Sequence, residues 1–242
     1  MTRKPKLDAF TMEGHRCIRG YQELLDNLGD WFRRQAPDTP CIGCNEAHCC
    51  KWTTATTQFE AAIIVLMYEG TIREHLPAIH EQASKEQELM LVASGGVPLT
   101  YDTLTEDVAM QLELDFAQAY AKLGRPCCFL SPENKCLIYT TRPFSCARYY
   151  VAGPSLVPGW KRSDCGDIGK PAPAIGDTER FSEALSVLIH EAYNPSIATF
   201  MAPGLTVPPN DIRYSGIASA IMQRVRGLGW EIPTPHFDTP PE

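Results

Sequence analysis

The chain has 242 residues, is 44% hydrophobic and 21% charged, and carries a formal net charge of −7. That length can bury a core as one large domain or two small ones, and the acidic balance argues against a protein whose main work is binding nucleic acid. No apolar run reaches the roughly 18 residues of a membrane span, and the basic start MTRKPKLDAF lacks the apolar stretch of a secretory signal, so the expected compartment is the reducing cytoplasm.

Residues 1–16 read as a short arm. Ile18, Tyr21, Leu25, Leu28 and Phe32 then recur at helical spacing, with Leu24 and Trp31 beside them, which predicts an amphipathic helix over 17–34. A cysteine-bearing loop, 37–52, is opened by Pro37 and Pro40. The next helix is expected from about Thr57 to Glu69, with Gly70 as its stop. Thr71-Ile-Arg-Glu74 has the form of a capping box. Pro77 either kinks the following helix or begins it, and that helix runs to about Ala93 before a Gly-Gly-Val-Pro break at 95–98. Thr105, Glu106 and Asp107 open another helix, carrying Val108, Leu112, Phe116, Ala119 and Leu123, and Gly124 and Pro126 close it.

From 127 to about 175 the helical period vanishes, and only Leu137–Thr140 reads as a short strand. A helix over 178–193 follows, with Phe181, Leu185, Leu188 and Ala192 inward and Asn194-Pro195 as its stop. The last helix is expected near 211–227. The fold class is therefore mainly α, a helical domain with irregular cysteine-rich segments and at most a short strand or two. Its parts are a cysteine-cluster domain over 17–175, a helical extension over 176–230 and a disordered tail over 231–242.

Ten cysteines fall at 17, 41, 44, 49, 50, 127, 128, 136, 146 and 165. Disulfides are disfavoured in a reducing compartment, and a chain this long needs none for stability. Irregular backbone with little apolar content is costly to fold, and a bound metal offsets that cost because its affinity becomes folding free energy. In CIGCNEAHCC, 41–50, Cys41 and Cys44 have the spacing that lets two thiolates meet one metal ion from a tight turn. A thioredoxin-type pair shares the spacing but opens a helix in a βαβ setting, and none is apparent. Adjacent residues such as Cys49 and Cys50 rarely reach one tetrahedral ion together, so they serve one centre or two. Cys127, Cys136 and Cys146 are too widely spaced for a compact zinc ribbon or a small ferredoxin run.

Taken together, CIGCNEAHCC, CCFL, NKCLIYTTRP and FSCARYY resemble the CxxCxxxCC, or YkgJ-like, cysteine-cluster family of zinc- or iron-chelating domains. The resemblance covers about residues 41–165. It implies Cys41, Cys44, Cys49, Cys50, Cys127, Cys136 and Cys146 as metal ligands, with Cys165 as an eighth. Cys128 stands where the family has proline, and Ala147 where it has arginine. The family includes flagellin lysine N-methylases, which use S-adenosylmethionine and carry an iron–sulfur cluster. The resemblance therefore favours a 4Fe–4S-type cluster, with zinc as the alternative, and implies methyl transfer to a protein or small-molecule substrate. Soft thiolates by themselves accept zinc and iron–sulfur centres alike. Seven or eight of them exceed one centre's need of four, which leaves two zinc ions, two different centres, or one cluster with spare thiols. The alternative function is a non-catalytic zinc or iron–sulfur protein for electron transfer, metal handling or interaction.

Around the ligands, Arg142 is a candidate to bond a negatively charged centre or an anionic cofactor group. Tyr139 is a candidate beside it, and Tyr149 and Tyr150 flank the same region. Cys17 lies near the apolar stripe of the first helix and is expected in the core. His48 is a candidate fourth ligand of a zinc site. His75, His80 and His190 read as surface or satisfied core residues. The glutamate-rich run 81–88 reads as a solvated helix face.

Overall fold

The computed structural model describes residues 12–35, 37, 50, 54–94, 115–116, 118–147, 179–192 and 215–232. Among them the fold is mainly α, as expected. Helix α1 spans Met12–Gln35, so it begins five residues before the expected start at 17 and takes in the end of the expected arm 1–16. Then come β1 (Ala55–Thr56), α2 (Gln58–Met67), α3 (Glu69–Glu74) and α4 (Leu76–Ala93). Further on are a 3-10 turn at Tyr139–Thr141, α5 (Phe144–Ala147), α6 (Glu179–Ala192), β2 (Ser215–Gly216) and α7 (Ile217–Gly227). The two strands pair antiparallel, Ala55 opposite Gly216 and Thr56 opposite Ser215.

Helix α2 is the centre of the fold. Its sequence QFEAAIIVLM is apolar all round apart from Gln58 and Glu60, and Gln58 through Val65 are all buried. A helix apolar on every face has to be covered on every face. One face, with Phe59, Ala62 and Ile63, meets a first core of Tyr21, Leu28 and Phe32 from α1 and Phe181, Leu185 and Ile189 from α6. The opposite face, with Ala61, Ile64 and Val65, meets a second core built from Ile72, Leu76 and Ile79 and from Ile217, Ile221 and Val225 of α7. Burying side chains such as Ile63 and Ile64 contributes about 2 kcal/mol each. Cys17 is in the first core, as its place on the stripe predicts.

Several local expectations are revised. Gly70 does not stop a helix: it lies inside α3, and the break falls at Tyr68, whose φ of −126° and ψ of 34° leave the helical region. Thr71 to Glu74 is likewise α3 interior or end rather than a cap. The capping box is at Thr57, whose hydroxyl accepts the Glu60 N–H while the Glu60 carboxylate accepts the Thr57 N–H. Pro77 sits in the first turn of α4, where its missing N–H costs no hydrogen bond, so the helix begins there rather than kinking.

The expected strand at 137–140 is absent. Leu130 and Cys136 form a lone bridge and the Leu137 N–H donates to Phe129 O, but the chain then coils, with the Thr141 N–H on Ile138 O. Ile138, at φ −117° and ψ 28°, has left the extended region, and the 3-10 turn at Tyr139–Thr141 follows where a ladder would have continued. Gly124 does end the helix that contains 118–122, with φ of +63°. In α6 the inward residues are Phe181, Leu185 and Ile189, with Leu188 only half-buried. Helix α7 starts at Ile217, later than expected. The expected helix start at 105–107, the break at 95–98 and the C-terminal tail lie outside the described residues. No helix among the described residues is long and apolar enough to cross a membrane.

Candidate metal centre

The second cysteine segment is a loop pinned at both ends by apolar side chains. Phe129 and Ile138 are each 1% exposed and seat it on the second core. Its tip, Ser131 to Lys135, closes on itself. The Ser131 N–H donates to Lys135 O, and the Ser131 hydroxyl accepts the N–H groups of Glu133 and Lys135. Asn134 adopts the left-handed conformation, φ 59°, that asparagine tolerates better than most residues. Cys127, Cys128 and Cys136 thereby lie half-buried against the core rather than on the loop's outer face.

Cys146 is held by a separate device. Arg142 precedes Pro143 and takes the extended ψ of 152° which that position favours. Pro143 O then accepts the Ala147 N–H, forming the single turn of α5 that carries Cys146. The Phe144 N–H at the start of that turn donates to Glu60 Oε1 at 2.7 Å. Glu60 is 2% exposed, and its carboxylate accepts four hydrogen bonds, from Tyr21 Oη, the Phe144 N–H, the Thr57 N–H and the Thr57 hydroxyl. A buried carboxylate is tolerated when its acceptor positions are filled in this way.

The thiols reached by the two devices are neighbours. Burial pushes the Cys146 thiol up, the nearby Cys127 and Cys136 push it further, and the Thr54 hydroxyl, 3.1 Å from its sulfur, and Arg142 oppose this. The Cys127 thiol is pushed well up by its hydrogen bond to Cys128, and then by burial and the Cys128 charge. Both are therefore neutral thiols near neutral pH, and a metal would have to displace their protons.

The first cysteine segment is joined to this group by backbone. The Cys127 N–H donates to Cys50 O at 2.6 Å, so the end of CIGCNEAHCC abuts the start of the second segment. Cys41, Cys44, Cys49 and Cys165, with His48, lie outside the described residues. Among the described residues no three histidine, cysteine, aspartate or glutamate side chains stand at metal-ligand spacing. The donor chemistry of the described residues fits a soft metal: neighbouring, half-buried thiols on a core of low polarity.

Arg142 is half-buried with its guanidinium 4.1 Å above the ring of exposed Tyr139. Tyr149 and Tyr150 lie outside the described residues. Compared with family models, with curated proteins and with solved structures, the chain matches none.

Residues that position this site but escape a reading of the sequence are Tyr21, Thr54, Glu60, Gln82 and Glu86. Glu60 has a signal, as the one charge in an otherwise apolar helix and the partner in a Thr-x-x-Glu box. Glu86 has none, because it sits in a glutamate-rich run whose neighbours Glu81 and Glu88 are exposed while it is 1% exposed. The expectation of a solvated face over 81–88 is corrected at this residue and at buried Gln82.

Proposed function

We propose that the chain is a cysteine-ligated metal protein, working as an iron–sulfur enzyme of the cytoplasm. The observation that carries this reading is the hydrogen bond from the Cys127 N–H to Cys50 O. It brings together two cysteine segments far apart in sequence, next to Cys136 and Cys146. Three or four of Cys41, Cys44, Cys49, Cys50, Cys127, Cys136, Cys146 and Cys165 would hold a 4Fe–4S-type cluster, and the others would serve a second centre or stay as spare thiols. When bound, such a cluster supplies iron that can bind a cofactor or substrate group directly, which needs no dinucleotide-type fold.

The roles of the chain's own side chains follow from their chemistry. Cys127 and Cys146 lie half-buried, which limits the access of water to their sulfur atoms. Arg142 offsets negative charge beside Cys146. The Arg142–Tyr139 stack offers a cationic group and an aromatic face to a ligand at the edge of the site. The resemblance to flagellin lysine N-methylases makes methyl transfer from S-adenosylmethionine to a protein or small-molecule substrate the concrete form of the activity.

Anaerobic purification with an absorption spectrum and analysis for iron, sulfide and zinc tests the reading. Brown protein with iron and sulfide, binding S-adenosylmethionine in calorimetry, is the expected result. A colourless protein with stoichiometric zinc and no iron after reconstitution overturns the cluster and leaves a zinc module. Protein that takes up neither metal overturns both.

A further inference from the structure

Gln82 lies where the cysteine loop meets the C-terminal helix. Its amide orientation is set by its partners. The Nε2 group donates to Glu86 Oε1 at 2.8 Å, which leaves Oε1 to accept the Cys128 N–H at 2.7 Å. The Cys127 N–H is already tied to Cys50 O. The backbone N–H groups on both sides of the Cys127 α-carbon are thus held, and with them the direction of its Cα–Cβ bond, from which the thiol extends.

The second oxygen of Glu86 accepts the Ser219 N–H at 2.8 Å, in the first turn of α7. Gly216, at the N-cap of α7, has no side chain to cap with, and a Cβ there would lie 2.2 Å from Glu86 Cδ. Glu86 therefore provides, from another helix, the negative cap that α7 lacks.

We propose that Gln82 is a positioning residue for the metal centre and that Glu86 carries its hold on to α7, so that loading the centre stiffens the start of that helix. This rests on the metal-binding reading above. Neither residue touches the metal. Gln82 acts through the Cys127–Cys128 peptide, as hydrogen-bonding residues behind metal ligands commonly do.

Zinc, which thiolates accept as they accept iron–sulfur centres, serves as the probe. The variant Gln82→Met keeps the volume and loses both hydrogen bonds; Ile79→Val, in the same helix and fully buried, controls for lost stability. Chelator competition should give Gln82→Met a zinc affinity about tenfold weaker or more, as loss of such a partner usually does, with Ile79→Val like wild type. Hydrogen exchange across residues 217–220 should slow on zinc loading in wild type and not in Gln82→Met. If Gln82→Met does not fold, Gln82→Asn, whose amide falls short of the Cys128 N–H, should weaken zinc in the same way. Wild-type affinity in the variant, an equal loss in Ile79→Val, or no slowing at 217–220 overturns the inference and leaves the metal reading standing. Failure of wild type to take up zinc or reconstituted iron overturns that reading, and the inference with it.

Discussion

The Tyr21 hydroxyl lies 2.9 Å from Glu60 Oε1 and 2.9 Å from the Arg142 carbonyl oxygen, sharing its single proton between them. One side chain of α1 thus joins the central helix to the turn that delivers Cys146. Burial and the neighbouring Glu60 carboxylate push the phenol well up, so it remains a donor throughout the working pH range. Glu60→Ala would strand the Phe144 and Thr57 N–H groups and leave the Tyr21 hydroxyl only the Arg142 carbonyl oxygen as acceptor. At about 1–3 kcal/mol for each buried group left unsatisfied, the loss should be about 3 kcal/mol or more. Tyr21→Phe removes one partner from a carboxylate that keeps three, and should cost about 1.5 kcal/mol. Denaturant titration of both variants checks the order. Equal stabilities would mean that the four hydrogen bonds do not act on folding as a unit.

Two glycines should respond in opposite directions. Gly216→Ala pushes a methyl group into the Glu86 carboxylate, displaces the cap of α7 and should destabilise by about 1–3 kcal/mol. Gly70 lies inside α3, and an added methyl group there would meet nothing within 4 Å, so Gly70→Ala should stabilise by about 0.5–1 kcal/mol. Thermal melts of the pair side by side check this. A stabilising Gly216→Ala would show that the Glu86 carboxylate can move away without loss.

The metal-free protein should weaken in alkali. Cys17 and Cys146 are pushed up mainly by burial, and Cys127 first by its bond to Cys128, from an ordinary value of 9.0. Folding favours their neutral form, so this contribution is whole below about pH 9 and is lost as pH rises through the folded-state values. Tyr21, raised from 10.0, acts in the same direction at higher pH. Melting temperatures measured with chelator and reductant from pH 7 to 11 should hold level and then fall above about pH 9. A rise across that range would contradict the burial of these thiols.

Removing a ligand should separate the cysteines by role. Cys136→Ser and Cys146→Ser should lose bound metal, as should Cys41→Ser in the first segment. Cys17→Ser, in the core between α1 and α6, should lose stability and keep its metal. Metal content after purification, with melting temperature, tests the set. Retention of full metal by all three proposed ligand variants would overturn the ligand assignment.

The amino-acid sequence by itself determined the helices whose apolar residues recur with helical period. The stripe of α1 and the stop at Gly124 are local preferences that the tertiary fold leaves in place, whereas only the structure decides between a kink and a start at Pro77. It also singled out the thiols, because a run of cysteines in a chain with no need of disulfides has a chemical meaning before any folding. Tertiary structure decided the rest. Only packing makes Glu86 a buried cap while Glu81 and Glu88 stay in water, because burial depends on what lies opposite a helix face, and the sequence of that face does not contain it. Only long-range hydrogen bonds set Cys127 against Cys50, and Cys146 on a turn held by Glu60. These contacts join residues far apart in the chain, and no local period can announce them.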